Sequence, residues 1–256
     1  MARVFITGSS DGLGQMAAKL LIEQGHKVVL HARNPQRAKD ALAAVPQAES
    51  VVVGDLSSIA QTNNVAEQVN ALGHFDAVIH NAAVGYKEPN RIATEDGLPQ
   101  LFAVNTLAPY ILTALIKKPK RLIYLSSGLH KNGDASLKDL TWENRPWQGT
   151  QAYSDSKLHD VILAFAIARL WPDVLSNSLE PGWVPTKMGG PEAPDDLDQA
   201  HRTQAWLAVS DEPAATVTGE YFFHKELRKP NPAARDTSKQ EQLLETCGHL
   251  SGVGLH

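Results

Sequence analysis

Short apolar runs alternate with longer amphipathic stretches along almost the whole chain, and that alternation is the strongest constraint on its fold. Seven runs read as strands: Arg3–Thr7, Lys27–His31, Ser50–Gly54, Phe75–His80, Arg121–Ser126, Leu175–Leu179 and Glu220–Phe223. Helices are expected between them over Gly12–Gln24, Pro35–Ala44, Ser58–Leu72, Glu95–Ile116, Ala152–Leu170 and Asp198–Val209. Local chemistry marks their ends: Gly25 closes the first, Pro35 opens the second, Ser57 or Ser58 caps the third, and Pro99 and Pro109 mark a start or a kink in the fourth. Strands alternating with helices imply a parallel α/β sheet covered on both faces, and right-handed crossovers make a doubly wound sheet of seven strands the economical topology. The first, fourth and fifth strands are almost wholly apolar, as central strands should be. No linker or repeat interrupts the pattern, so residues 1–256 read as one domain.

Composition narrows the function. Among 256 residues, 43% are hydrophobic and the net charge is −4, which allows a sizeable core and gives no basic surface for nucleic acid. No apolar run approaches the roughly 20 residues of a membrane span, and the N-terminus enters structure without a secretory leader, so a cytoplasmic protein is expected. The lone cysteine, Cys247, rules out an intramolecular disulfide. The histidines lack the spacing of a zinc site, and no metal is expected.

The first strand runs into Thr7-Gly8-Ser9-Ser10-Asp11-Gly12-Leu13-Gly14 and then a helix. Glycines here let the backbone turn tightly against a pyrophosphate, while the helix N-terminus offers unpaired N–H groups and a positive dipole end. Dinucleotide sites selective for NAD usually carry an acid after the second strand. This chain has Leu30-His31-Ala32-Arg33-Asn34, and Arg33 suits a 2′-phosphate, assisted by Ser9, Asn34 and Arg37. NADP(H) is therefore favoured over NAD(H). Asp55 and Leu56 after the third strand suit the adenine, although Asp55 also reads as a helix-entry acid.

Further features follow in order: Asn81-Ala82-Ala83-Val84-Gly85 after the fourth strand, Asn105 in the fourth helix, Ser126-Ser127-Gly128 after the fifth strand, and Tyr153-Ser154-Asp155-Ser156-Lys157 at the start of a helix. With the glycine loop they resemble the short-chain dehydrogenase/reductase family over almost the whole chain. The resemblance implies a Rossmann-like nucleotide-binding fold and a catalytic set of Asn105, Ser127, Tyr153 and Lys157. It also implies that Asn81 and Ala82 line the cofactor ribose. Pro181, Gly182, Val184 and Thr186 would then meet the nicotinamide end. The chemistry is coherent in its own right. Carbonyl reduction needs a proton on oxygen, and Tyr153 and Lys157, four apart on a helix, share a face. The ammonium is expected to pull the phenol pKa down from about 10. Ser127 would bond the substrate oxygen, and Asn105 would hold a water leading from Lys157 to solvent. Asn105 satisfying buried backbone groups, and Ser126 in place of Ser127, remain alternatives.

The stretch between Ser127 and Tyr153 is about twice the usual length and resembles the longer loop of retinol-dehydrogenase-like and carbonyl-reductase-like members. It brings Trp142 and Trp147 towards the expected substrate mouth, to bind an apolar substrate or to pack the insertion. The substrate loops are expected near 128–151 and 183–198, with Met188 a candidate contact. A short segment before the fifth strand and the insertion leave monomer and homo-oligomer open, and the tail Gln240–His256 reads as a helix plus an ordered end. The sequence thus points to an NADP(H)-dependent oxidoreductase acting on a small-molecule carbonyl or alcohol; the alternative is an NADP(H)-binding redox sensor without turnover.

Overall fold

The structure, a computed structural model, describes residues 1–255; His256, the end of the expected tail, lies outside the described residues. The strands are β1 (Arg3–Ile6), β2 (Lys27–Ala32), β3 (Ser50–Val53), β4 (Ala77–His80), β5 (Arg121–Leu125), β6 (Leu175–Glu180), β7 (Tyr221–Phe223) and β8 (Glu226–Leu227). They form one sheet in the order β3-β2-β1-β4-β5-β6-β7-β8, parallel as far as β7. The strand order reverses between β1 and β4, where Val4 pairs with Val28 on one side and Ala77 on the other. The crevice beyond the carboxyl ends of these two strands is the binding position such sheets create.

The helices are α1 (Gly12–Glu23), α2 (Pro35–Ala44), α3 (Ile59–Ala71), α4 (Gln100–Phe102), α5 (Ala108–Leu115), α6 (Gly149–Leu170), α7 (Leu197–Ala200), α8 (Arg202–Val209) and α9 (Thr237–Ser251). Side chains alternate across each strand and feed two cores. Val4 and Ile6 of β1 face α1, α2 and α8, through Ala17, Leu21, Ala41 and Trp206. Phe5 faces α3, α5, α6 and α9, through Val65, Leu112, Ile162 and Leu243.

The sheet has eight strands among the described residues, one more than expected. The extra strand, β8, returns antiparallel along β7 through a two-residue turn at His224 and Lys225, with φ of 49° and 65°. Both central residues of such a hairpin sit left-handed, and this one lacks the Asn-Gly or Asp-Gly that would announce it. The helix expected over Glu95–Ile116 starts only at Gln100, after Pro99, and passes through a π turn at Ala103–Leu107 before α5. Pro109 has no N–H to give, so the regular ladder breaks just ahead of it. The helix expected over Asp198–Val209 is interrupted at His201. The tail helix begins at Thr237, capped by Asp236, and stops at left-handed Gly252. Its Leu243, Leu244 and Cys247 join the core beside α6, and Tyr110 Oη donates to Val253 O at 2.9 Å.

Of five buried histidines, four are strongly held as neutral rings. Burial pushes His31, His130 and His159 down to about 4 and His80 to about 3. Each pKa is lower in the folded chain, so their contribution is complete above about 6.5 and fades as pH falls towards 4. Burial raises the carboxyls of Asp160, Glu88 and Glu180, which act in the opposite sense. The histidine shifts are the larger set, so the urea midpoint is expected to fall progressively between pH 7 and 4.5. A midpoint constant over that range would contradict neutral burial of the four rings.

Candidate active site

The glycine loop is held in shape from three strands. Gly8 N–H donates to His31 Nδ1 at 3.0 Å, so the other ring nitrogen of that neutral imidazole donates to Gly54 O at 2.9 Å. Asn81 Nδ2 donates to Thr7 O and Gly8 O, while Thr7 Oγ1 accepts from the N–H groups of Asn81 and Ala82. Gly8 (φ 60°) and Gly12 (φ 55°) adopt left-handed backbone. A Cβ on Gly8 would come within 2.7 Å of Ala82 Cα. The Asp11 side chain does not cap α1, which leaves the first-turn N–H groups without a side-chain partner. A close-packed glycine loop ending in an uncapped helix fits a nucleotide diphosphate.

The residues expected around the adenosine divide. Arg33 is exposed just beyond β2, without a side-chain hydrogen bond or ion pair among the described residues. Ser9 is wholly buried, donating to Ile6 O and accepting from His31 N–H, so its hydroxyl braces the loop. Asn34 caps α2 by accepting from Arg37 N–H. Arg37 bonds Ser10 Oγ at 3.3 Å and Asp11 at 2.5 Å. Asp55 accepts from Ser57 N–H at 2.9 Å, as a helix-entry acid would, while Ser58 caps α3. Leu56 is buried, and Leu13 half-buried at the start of α1. The Asn81 amide is turned into the glycine loop, so its side chain is committed to the loop before any ribose.

Beyond β5 the structure brings the expected catalytic set together. Ser126 Oγ donates to Lys157 O, which turns it away from the cleft and leaves Ser127 as the serine facing Tyr153. Tyr153 is 6% exposed. Its pKa is raised: burial is the dominant influence, opposed by the Lys157 charge and the neighbouring Ser127 hydroxyl. The expected net lowering by Lys157 is therefore overturned by desolvation. A smaller influence in the same direction lies one turn past Lys157 on α6. Lys157 Nζ donates to Leu125 O at 2.7 Å and to Asp160 Oδ2 at 2.8 Å, while lying 5.8 Å from the Tyr153 ring centroid. Asn105 sits in the π turn, wholly buried, accepting from Val84 N–H and donating to Val84 O and Ser156 Oγ. Its amide satisfies backbone and helix groups rather than contacting Lys157.

The loop after β6 folds over this cluster. Gly182 turns at φ 89°, Val184 is buried, and Thr186 N–H donates to Val184 O. Pro181 is half-buried at the exit of the strand. Lys187 reaches back to Asp11 at 2.8 Å. Burial acts to raise the Asp11 carboxyl, but hydrogen bonds from Lys187 and Arg37 outweigh it and hold it below the ordinary value. Met188 Sδ lies 3.9 Å from Tyr153 Oη. Trp142 is buried with the Arg145 guanidinium 3.6 Å over its ring, so it packs the insertion. Arg145 also pairs with Asp134, Asp139 and Asp155, pinning that loop to α6. Trp147 meets Trp142 edge-on, and its indole N–H is spent on Glu88 O. Trp147, Tyr86, Leu129, Val84 and Met188 border the same apolar cluster as Tyr153, and Tyr86 meets the Tyr153 ring edge-on at 5.6 Å. His31, Tyr86 and Asp160 were not singled out by the sequence. Only Asp160 carried a signal, an acid three residues after Lys157 and just ahead of the apolar run Val161-Ile162-Leu163.

A family model described as short chain dehydrogenase matches residues 2–130. An oxidoreductase of Emericella nidulans, itself uncharacterized, is 50% identical, covering 100% of this chain and 99% of that protein. The short-chain dehydrogenase chry4 of Gibberella zeae is 42% identical, with the same coverage of 100% and 99%. Among solved structures, a blue fluorescent protein from a metagenomic library, in complex with NADPH, aligns with a TM-score of 0.70 at 20% identity, covering 86% of this chain and 95% of that one.

Gly14 tests the nucleotide cleft. A Cβ there would lie 2.5 Å from Asn81 Nδ2 and 2.7 Å from Gly8 O. Gly14→Ala is expected to weaken binding of a reduced nicotinamide dinucleotide at least about tenfold by fluorescence titration, because the loop must open to admit the methyl. Unchanged affinity would show that loop closure does not shape the site.

Proposed function

The chain belongs to the short-chain dehydrogenase family and is an oxidoreductase, and we propose that it is an NADP(H)-dependent carbonyl reductase, reversible to alcohol oxidation, with Tyr153 as general acid and base. The observation that carries this reading is the buried Tyr153 hydroxyl, with Ser127 facing it and the Lys157 ammonium on the same helix face. When bound, the nicotinamide supplies or accepts the hydride. Gly8 to Gly14 and the α1 N-terminus would hold its diphosphate, Arg33 its 2′-phosphate, and the Val184–Thr186 turn its nicotinamide end.

The residues of the chain handle the proton. Ser127 Oγ bonds the substrate oxygen and orients the carbonyl. Tyr153 Oη gives its proton to that oxygen as negative charge develops there, and takes it back when an alcohol is oxidised. Lys157 spends two of its three N–H donors on Leu125 O and Asp160, which leaves one for a ribose hydroxyl. Tyr86, Leu129, Trp147 and Met188 favour an apolar carbonyl substrate and shield the transfer from water. The nucleotide-binding unit and the substrate loops form one domain, and a cytoplasmic setting suits its single, buried thiol.

Tyr153→Phe removes only the hydroxyl, so it is expected to abolish NADPH oxidation across a panel of ketones, aldehydes and quinones while NADPH binding persists. Turnover near the wild-type rate would refute the assignment. Arg33→Asp replaces a cation with an acid at the end of β2 and is expected to shift preference towards NADH by at least tenfold in kcat/KM. An unchanged ratio would remove Arg33 from cofactor selection.

A further inference from the structure

One buried charge beside Tyr153 has no part in the proton transfer just described. Asp160 is 3% exposed, three residues after Lys157 on α6, and its Oδ2 accepts from Lys157 Nζ at 2.8 Å. The ammonium's other partner is the neutral Leu125 carbonyl. The charge nearest the Tyr153 hydroxyl is therefore one half of an ion pair.

We infer that Asp160 is the counter-ion of Lys157, and that by neutralising the ammonium it limits the pull of Lys157 on the buried Tyr153 hydroxyl, so that the site meets its substrate as a proton donor. This rests on Tyr153 being the acid. An isolated ammonium at this distance stabilises phenolate strongly, whereas a contact ion pair presents a dipole whose field falls off faster. Asp160 thus limits the pull of Lys157 on Tyr153. It does not alter the overall equilibrium of the reaction; it sets the pH at which each direction runs fast.

The surrounding groups support that assignment. The ionisable groups facing Tyr153 are Lys157 and Asp160 from α6, Tyr86 from the segment after β4, and Tyr221 from β7, with the neutral Ser127 hydroxyl after β5. Asp160 faces Lys157 and, from β5, Tyr124, whose hydroxyl bonds Thr113 Oγ1 at 2.7 Å. Of these groups, only Lys157 and Asp160 carry charge at neutral pH. The Asp160 carboxyl is pushed up by burial and drawn back by Lys157 to about 6, which leaves it ionised above that pH.

The test reads Tyr153 directly and needs no substrate. The chain has five tyrosines, so ring-labelled ¹³C-tyrosine gives few resonances, and Tyr153→Phe identifies the one of interest. In the NADP⁺-bound protein, Asp160→Asn is expected to move the Tyr153 titration to lower pH by at least about one unit. Asp160→Glu, which keeps the charge, is expected to leave it near the wild-type position. An unmoved or raised midpoint in Asp160→Asn, or an equal shift in both variants, would overturn the inference. Should Asp160→Asn fail to fold, ¹³C-labelled aspartate in the wild-type holoprotein decides: a carboxylate at position 160 at neutral pH supports the pair, and a protonated acid there overturns it. Failure here leaves the Tyr153 assignment standing, because that assignment falls only if Tyr153→Phe still turns over.

Discussion

A lysine ammonium that is 2% exposed must find acceptors inside the protein, and the packing of α6 on β5 supplies them. Lys157 reaches the carbonyl at the end of β5 and the carboxylate of Asp160 one turn along its own helix. That anchoring holds the first turns of α6 against the carboxyl edge of the sheet, which in turn buries Tyr153 where the strand ends. Removing one partner from such a pair costs about 3–5 kcal/mol in other proteins, so the arrangement also ties the site to the stability of the core.

The second half of the crevice is built by a different device. The glycine loop is tied to β4 through Thr7 and Asn81, and to β2 and β3 through a neutral His31. These bonds fix the loop where the strand order reverses, so its N–H groups and the Tyr153 region open on the same edge of the sheet. Between them, Lys187 bridges from the loop after β6 to Asp11 in the glycine loop. The insertion, clamped to α6 by Arg145, walls the remaining side with aromatic rings. The proposed binding surface and reacting group are thus set by the same strand ends.

Much of this was legible in the sequence because it depends on local spacing. Apolar periodicity located β1 to β7 and the main helices, and the order of glycine loop, Asn105, Ser127, Tyr153 and Lys157 identified the family. What escaped depends on contacts between distant segments or on backbone that leaves little trace. The β7–β8 turn uses His224 and Lys225 in a conformation that usually announces itself by glycine or asparagine. His31 looked incidental because its partners, Gly8 and Gly54, lie 23 residues away on either side. Ser9 is a loop brace because its side chain turns inward, and Asn105 spends its amide on Val84 and Ser156. The sign of the Tyr153 shift escaped because spacing shows the attraction of Lys157 but not the depth of burial that opposes it.

The most direct test of the central claim is a crystal structure of the chain with NADPH and a non-reactive mimic of an apolar carbonyl substrate. The mimic's oxygen is expected within hydrogen-bond reach, about 2.6–3.2 Å, of both Tyr153 Oη and Ser127 Oγ, with its carbon facing the nicotinamide C4. A nicotinamide lying on another face of the sheet edge, or a mimic oxygen bonded to neither hydroxyl, would contradict it.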